Sequence, residues 1–188
     1  MDRIEEIIEE SIQLHRRLPG LVPEIAKAAR MMIDALARGK KIMFAGNGGS
    51  AADAQHLAAE LVNRFRKNRQ PIAGLALTTD TSVITSVAND FSFDEIFSKQ
   101  VRALGREGDV LVGISTSGNS GNIIRALDEA RSMGISTIAL AGEGGTIRDH
   151  ADCTIAVPSQ NTPRIQEAHI LIGHILCEMI EEASIRIV

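Results

Sequence analysis

Five short runs of apolar residues, separated by longer stretches with helical character, constrain the fold of this chain more than any other feature. Each run is apolar throughout, which is typical of strands buried on both faces of a parallel sheet. The helical stretches between most of them lie around residues 50–66, 80–104 and 119–133. The runs are KIMFA, AGLAL, DVLVGI, STIAL and CTIAV. Repeated strand–helix–strand units with right-handed connections predict an open α/β sheet of five parallel strands.

Helical segments precede and follow this alternating region. Residues 1–18 and 23–38 show the hydrophobic spacing of amphipathic helices, and Gly39 is expected to cap the second of them. A last helix is predicted over residues 163–184, and its central run ILIGHILCEMI is apolar on nearly every side. A helix of this kind can be fully buried when a partner subunit covers it. We therefore expect a homo-oligomer in which the N-terminal helical extension, residues 1–38, also packs.

Length and composition narrow the classes of function. With 188 residues and no repeat, low-complexity tract or linker, the chain is predicted to form a single domain over residues 1–188. A net charge of -4 and the lack of Trp and Tyr argue against nucleic-acid binding, which needs positive charge and stacking rings. No apolar run reaches the roughly 18 residues of a membrane span, and the acidic N-terminus is unlike a signal peptide. The sequence thus predicts a cytoplasmic protein with no nucleic-acid or membrane partner.

Two loops rich in glycine and hydroxyl side chains follow predicted strands. They are GNGGS at residues 46–50 and STSGNS at residues 115–120. In open α/β sheets ligands bind beyond the carboxyl ends of the strands, and a helix N-terminus offers free N–H groups to a phosphate. Neither loop has the lysine of a P-loop. Turn geometry and helix capping would explain one such loop, but two at corresponding positions favour binding of a phosphate or sugar phosphate.

Two polar side chains lie one turn apart on the same face of an alanine-rich helix, His56 and Glu60. A carboxylate among small apolar residues is costly unless it is paired, so the environment is that of a general base or a metal ligand. A simple hydrogen-bonded pair on a half-exposed helix is the alternative. Asp53, in the first turn of the same helix, is explained by the helix dipole.

His174 raises the same question in the last helix. A lone histidine among isoleucine and leucine neighbours is more often a satisfied core residue than a catalyst. Helical geometry favours Glu167 as its partner, because seven residues return to nearly the same face, whereas Gln166 lies about 80° round. Asn89 and Asp90 are equally consistent with a plain turn.

Four stretches of the chain resemble, in order and spacing, the phosphoheptose isomerases of the sugar isomerase (SIS) domain superfamily. They are GNGGSAADAQHLAAEL, ANDFSFDEIF, ISTSGNSGNI and RIQEAHILIGH. The resemblance implies a three-layer SIS domain and a homotetramer with active sites shared between subunits. It also implies conversion of sedoheptulose 7-phosphate to D-glycero-D-manno-heptose 7-phosphate, the first committed step toward the heptose of bacterial lipopolysaccharide or related glycans.

The same resemblance implies roles for individual residues. Glu60 and His174 are the implied acid/base pair of an aldose–ketose isomerase that works through an enediolate. One zinc per subunit is implied, bound by His56, Glu60, Gln166 and His174, so that the family pattern replaces the geometric choice of Glu167. The implied substrate-binding residues are Asn47, Gly48, Gly49, Ser50, Asn89, Asp90, Ser115, Thr116, Ser117, Ser120 and Gln166.

Two other functions stay open at this point. A non-catalytic sugar-phosphate-binding or replication-initiator-binding SIS protein is expected to lose the acid/base residues, yet Glu60 and His174 are both present. An isomerase or aldolase for another sugar phosphate is the second alternative, because pocket length separates a hexose from a heptose. Thr162 and Pro163 stand where some relatives carry an aspartate, which puts an auxiliary role of that aspartate in doubt. Glutamine is a poor zinc ligand, so the implied metal site is expected to be labile.

Overall fold

The computed structural model describes residues 2–186, which form a sheet with helices on both faces. The strands are β1 (Ile42–Gly46), β2 (Gly74–Ala76), β3 (Val110–Ser115), β4 (Ser136–Ala141) and β5 (Cys153–Ala156). The α-helices are α1 (Asp2–Arg17), α2 (Val22–Ala37), α3 (Gly49–Val62), α4 (Thr81–Asp90), α5 (Ser98–Leu104), α6 (Gly121–Ser132) and α7 (Thr162–Arg186). Short 3-10 helices lie at Leu18–Leu21, Phe93–Glu95 and Ile147–His150.

The sheet has the predicted five parallel strands, in the order β2-β1-β3-β4-β5. The chain leaves β1 toward one edge to form β2 and then returns to the other side of β1 to form β3. The direction of winding therefore reverses between β1 and β3, which is where open α/β sheets bind ligands. Gly46 pairs with Ile114, so the loops that follow β1 and β3 leave the sheet side by side. These are the two glycine-rich loops.

Two apolar layers confirm the three-layer prediction. On one face, α1, α2, α3 and α7 cover strand residues such as Phe44 and Val112. On the other face, α5 and α6 cover the alternate residues, such as Met43 and Leu111. Because successive side chains of a strand point to opposite faces, a strand with both faces covered has to be apolar throughout. That requirement explains why the five runs were recognisable in the sequence.

The end helices agree with the predicted spans to within a few residues. Arg38 ends α2, and Gly39 follows with a φ of 71°, the left-handed conformation expected of a glycine cap. Apolar side chains of α1 and α7 remain at the surface of the single chain, with Ile4 64 % and Ile8 53 % exposed. On α7 the exposed group consists of Leu171, Ile175 and Met179. None of the helices in residues 2–186 is both long and apolar enough to cross a bilayer.

Two of the expected helices have different bounds in the structure. The helix predicted over residues 50–66 ends at Val62, because Asn63 leaves the helical conformation with a ψ of -89°. The stretch 80–104 is not one helix but three elements, α4, a 3-10 turn and α5. Asp80 caps α4 by accepting the Val83 N–H at 3.0 Å, and Phe91 ends it with a φ of -129° and a ψ of -90°. Asn89 and Asp90, which were consistent with a turn, are thus the last two residues of α4, and the chain breaks directly after them.

Candidate active site

The loop after β1 and the start of α3 bring backbone groups to the carboxyl edge of the sheet. Gly48 has a φ of 54°, which residues with a side chain rarely adopt, and it directly precedes α3. A Cβ on Gly49 would lie 2.5 Å from Nε2 of Gln166, so only glycine lets the amide of Gln166 approach this closely. The structure therefore places Gln166, from α7, against the first glycine-rich loop.

Side-chain hydrogen bonds join the first loop to α6 and bridge the two ends of the second loop. Asn47 and Asn122 exchange a reciprocal pair of amide hydrogen bonds, each 2.9 Å long. Ser115 Oγ lies 2.9 Å from Ser120 Oγ across the second loop. Asn122 is buried in the first turn of α6 and was not among the predicted site residues. The sequence indicates Asn122 as a site residue only in that it is polar at a helical position that faces the sheet.

Three side chains meet between α3 and α7. His56 Nε2 lies 2.9 Å from His174 Nε2 and 3.3 Å from Glu60 Oε1. The first contact is possible because α3 and α7 approach closely: a Cβ on Gly173 would lie 2.6 Å from Cδ2 of Leu57. Glu60 is 22 % exposed and His56 is 47 % exposed, so the group opens to solvent. The simple i,i+4 pair is present, but a histidine from another helix extends it into a cluster.

Glu167 does not join this cluster, although helical spacing favours it as the partner of His174. Its carboxylate accepts hydrogen bonds from Ser11 Oγ at 2.8 Å and from Arg164 at 2.5 Å. Glu167 therefore ties α7 to α1. The partner of His174 is instead His56, a residue 118 positions away in the chain. Spacing within one helix cannot reveal such a contact.

Asp53 has a larger part in this region than the helix dipole explains. Its Oδ2 is buried without a hydrogen-bond partner among the described residues. Burial raises the pKa of Asp53, while the nearby imidazoles of His56 and His174 act in the opposite direction. An unpaired buried carboxylate oxygen beside two histidines is the pattern of a functional site rather than of a helix cap. In the sequence, the spacing of three residues between Asp53 and His56 was the available indication that Asp53 lies near the site.

One aromatic side chain that was not predicted completes the wall of the cluster. The ring centroid of Phe65 lies 5.5 Å from that of His174, with 37° between the ring planes. Phe65 belongs to the irregular segment after α3, which the sequence had suggested was helical.

Other predicted residues lie apart from the cluster within one chain. Asn89 and Asp90 are exposed at the end of α4, where Asn89 Nδ2 donates to Asp90 Oδ1 at 2.8 Å. Thr116 and Ser117 lie at the open end of the second loop, and Gly118, with a φ of 68°, turns the chain there. These residues line the same edge of the sheet or its border without contacting the histidines.

The side chains of this cluster are of the types that bind zinc, but their geometry fits a zinc ion only in part. Imidazole and carboxylate are donors that zinc binds in proteins. Two nitrogens on one tetrahedral zinc lie about 3.3 Å apart, so the 2.9 Å between His56 and His174 is a few tenths too short. In the part of the chain that the structure describes, no group of three or more His, Cys, Asp or Glu side chains has a metal-holding arrangement. Gln166, the fourth implied ligand, lies against Gly49 at the start of α3, eight residues or about 12 Å from His174 along α7.

The fold and this cluster define a class of protein, the sugar isomerase domain proteins. A family model described as SIS domain matches residues 7–142. A phosphoheptose isomerase of Rhodospirillum rubrum is 51 % identical over 183 residues, which cover 97 % of each chain. A phosphoheptose isomerase of Geobacter sulfurreducens is 55 % identical over 170 residues, covering 90 % of this chain and 88 % of the other.

Solved structures give the same result. The phosphoheptose isomerase GmhA of Neisseria gonorrhoeae superposes with a TM-score of 0.91 at 47 % identity, covering 96 % of this chain and 98 % of the other. The chain therefore belongs to the phosphoheptose isomerase family.

Proposed function

We propose that this protein converts sedoheptulose 7-phosphate to D-glycero-D-manno-heptose 7-phosphate, the first committed step toward bacterial heptose precursors. The observation that carries the proposal is that Glu60, His56 and His174 meet between α7 and α3, the helix that begins at the first glycine-rich loop, in a chain of this family. Aldose–ketose isomerisation moves one proton between neighbouring carbons and one between neighbouring oxygens. It therefore needs a base and a second proton-carrying group close together.

The loops are suited to hold the phosphorylated sugar. Ser115, Thr116, Ser117 and Ser120 lie at the N-terminus of α6, where unpaired N–H groups and hydroxyls favour an anion. On the other side, Asn47, Gly48, Gly49 and Ser50 lie at the N-terminus of α3 next to Gln166. The phosphate binds at the second loop in this proposal, so that the carbonyl end of the sugar reaches α3.

Glu60 and His174 carry the two proton transfers. Glu60 takes the proton from C1 of the ketose and returns it to C2, so the carboxylate is regenerated at the end of each turnover. His174 accepts the proton of the C1 hydroxyl and delivers a proton to the oxygen at C2, and the enediolate lies between the two steps. No net oxidation occurs, because electrons move only from C1 to C2 within the substrate. The Phe65 ring lies on one side of His174.

The proposal includes one zinc ion per subunit, which would be bound by His56, Glu60, Gln166 and His174. When bound, it supplies Lewis-acid polarisation of the sugar oxygens. Glutamine binds zinc weakly, so exchange with solution is expected to be fast. A carboxylate that binds a metal tightly is also a weaker base, and a labile site leaves Glu60 more basic.

The proposal includes a cytoplasmic homotetramer with active sites shared between subunits. The exposed apolar side chains of α1 and α7 support an interface with another copy of the chain. Asn89 and Asp90, exposed at the border of the site in one chain, are available to the substrate of a neighbouring subunit. A sugar-phosphate substrate and no nucleic-acid partner complete the proposal.

Turnover of sedoheptulose 7-phosphate by the purified protein tests this function, with and without a chelator. Glu60→Gln is the matched variant, because it keeps the shape and removes the base. We expect a loss of kcat by about 10²- to 10⁴-fold in this variant, and a loss on chelation that added zinc restores. A wild-type protein that binds the sugar phosphate and never converts it would instead be a sensor. Full activity in the chelator would remove zinc from the mechanism.

A further inference from the structure

One buried carboxylate of α7 holds the irregular segment between α3 and β2. Glu181 is 2 % exposed, and its two oxygens accept the backbone N–H groups of Phe65, Arg66 and Lys67 at 3.1, 2.9 and 3.0 Å. Burial acts to raise the pKa of Glu181, but these three hydrogen bonds and the charge of Arg69 outweigh it, so the pKa is lowered. The carboxylate therefore stays charged at neutral pH.

Arg69 binds the same region from within the segment. Its Nε lies 3.3 Å from Glu181 Oε1, and only 4 % of its side chain is exposed. Its two terminal nitrogens donate to the carbonyl oxygens of Glu60 and Leu61, each at 2.8 Å. Carbonyls in the last turn of a helix have no intrahelical partner. Arg69 thus caps the end of the helix that carries Glu60.

The buried pair is therefore linked through the backbone to both proposed proton-transfer groups. Glu181 fixes the backbone of Phe65, whose ring lies against His174. Arg69 fixes the carbonyl of Glu60 itself.

Stability alone is a poor explanation for this arrangement. Removing two charges from water is costly, and apolar side chains of similar volume often stabilise a core as well or better. A planar guanidinium and a carboxylate instead define the directions of several hydrogen bonds at once. That property is useful where positions must be held closely.

We propose that Arg69 and Glu181 are positioning residues, which fix Glu60 and the Phe65–His174 contact in the geometry that proton transfer requires. The inference rests on the proposed function, since it takes Glu60 and His174 as the reacting groups. A displacement of about 1 Å in an active site can lower the rate about 100-fold. The first substrate-binding loop lies at the opposite end of α3 and the second precedes α6, so binding depends less on this pair.

Arg69→Lys tests the proposal, because lysine keeps the charge and loses the planar set of donors. We expect kcat to fall about 10- to 100-fold and KM to stay within about twofold. Arg66→Lys is the matched control: Arg66 lies in the same segment and pairs with Glu178 of α7, but this pair is 66 % and 43 % exposed. Its kcat should equal that of wild type.

A second measurement does not depend on turnover. The Phe65 ring shifts the NMR signal of the His174 Cε1 proton, which labelled histidine and a His174→Gln variant identify. Phe65→Leu gives the position of the signal without the ring. In Arg69→Lys we expect the signal to move from the wild-type position toward that of Phe65→Leu, in the intact, folded protein.

Each outcome decides for or against the proposal. A folded Arg69→Lys protein with unchanged kcat and an unchanged His174 signal overturns it. If that variant does not fold, Glu181→Gln is measured in the same two ways. A lower melting temperature with full kcat per folded molecule shows a merely structural role and also overturns it. A wild type without isomerase activity refutes the proposed function, while the His174 signal still tests the positioning.

Discussion

Two histidines of α7, five residues apart, differ in nearly every physical respect. His169 is 1 % exposed, its Nε2 lies 3.1 Å from the carbonyl oxygen of Ala141, and burial lowers its pKa to about 4. His174 is half-buried and faces His56 of another helix. Five residues turn a helix by about 140° beyond a full turn, so one ring faces the sheet and the other faces α3. The neighbouring element, and not the apolar sequence around a histidine, therefore decides whether that histidine is structural or catalytic.

The largest expected effect comes from His174→Gln. If His174, and not His169, is the catalytic histidine of α7, kcat falls by about 10²- to 10⁴-fold, the usual contribution of a general acid–base group. The free energy of unfolding should change by no more than about 1 kcal/mol, because the ring is half-buried and lies at the rim of the core. Steady-state kinetics and urea unfolding of one preparation measure both. A variant with wild-type kcat would show that His174 takes no part in proton transfer.

His169 should affect stability in acid instead of catalysis. Its folded pKa of about 4 lies below the ordinary value of 6.5, so the unfolded chain binds a proton over this range while the folded protein does not. Stability is therefore lost as the pH falls from about 6.5 to about 4, by about 3 kcal/mol. Above that window the group contributes nothing to the pH dependence.

His169→Gln is the control for this prediction, since glutamine can still donate to the carbonyl oxygen of Ala141 and does not titrate. Urea unfolding between pH 7 and pH 4, at a single protein concentration, should show a smaller fall for the variant than for wild type. The difference between the two curves isolates His169 from other titrating groups. Parallel curves would refute the assignment of His169 as a neutral core residue.

A third histidine, His150, is expected to have the smallest effect on stability and activity. His150 Nδ1 lies 2.7 Å from Asp128 Oδ1, but the pair is at the surface, with side chains 30 % and 52 % exposed. Exposed ion pairs contribute about 0–1 kcal/mol. His150→Ala should therefore change the free energy of unfolding by less than about 1 kcal/mol and leave kcat unchanged. Thermal unfolding in low and high salt is the check, and a larger loss would show that a short contact distance alone confers stability.

The sequence predicted the sheet well because the sheet leaves a strong local signal. Strands covered on both faces must be apolar throughout, and all five observed strands fall within or next to the predicted runs. The end of α3 at Val62 was missed. It depends on a contact that is distant in the chain, because the segment after Val62 is held by Glu181 of α7.

The candidate site was predictable to the extent that its residues are close in sequence. The spacing of His56 and Glu60 places them on one helix face, and the structure has them in contact. Spacing gave the wrong neighbour for His174, because its partner lies across a helix–helix contact made at Gly173. Asn122 and Phe65 were missed for the same reason. Their contacts are made only when loops and helices from different parts of the chain come together.

The place of α7 in the chain has a consequence for a newly made protein. This helix follows all five strands in sequence, yet it packs against α1, α2 and α3, which are synthesised first. Until α7 leaves the ribosome, the apolar surfaces of those three helices that pack against it have no cover, and both Gln166 and His174 are absent. Closure of the core and assembly of the site therefore occur in the same late event. A chain interrupted before α7 is expected to be inactive and also prone to aggregate, because exposed apolar surface promotes association.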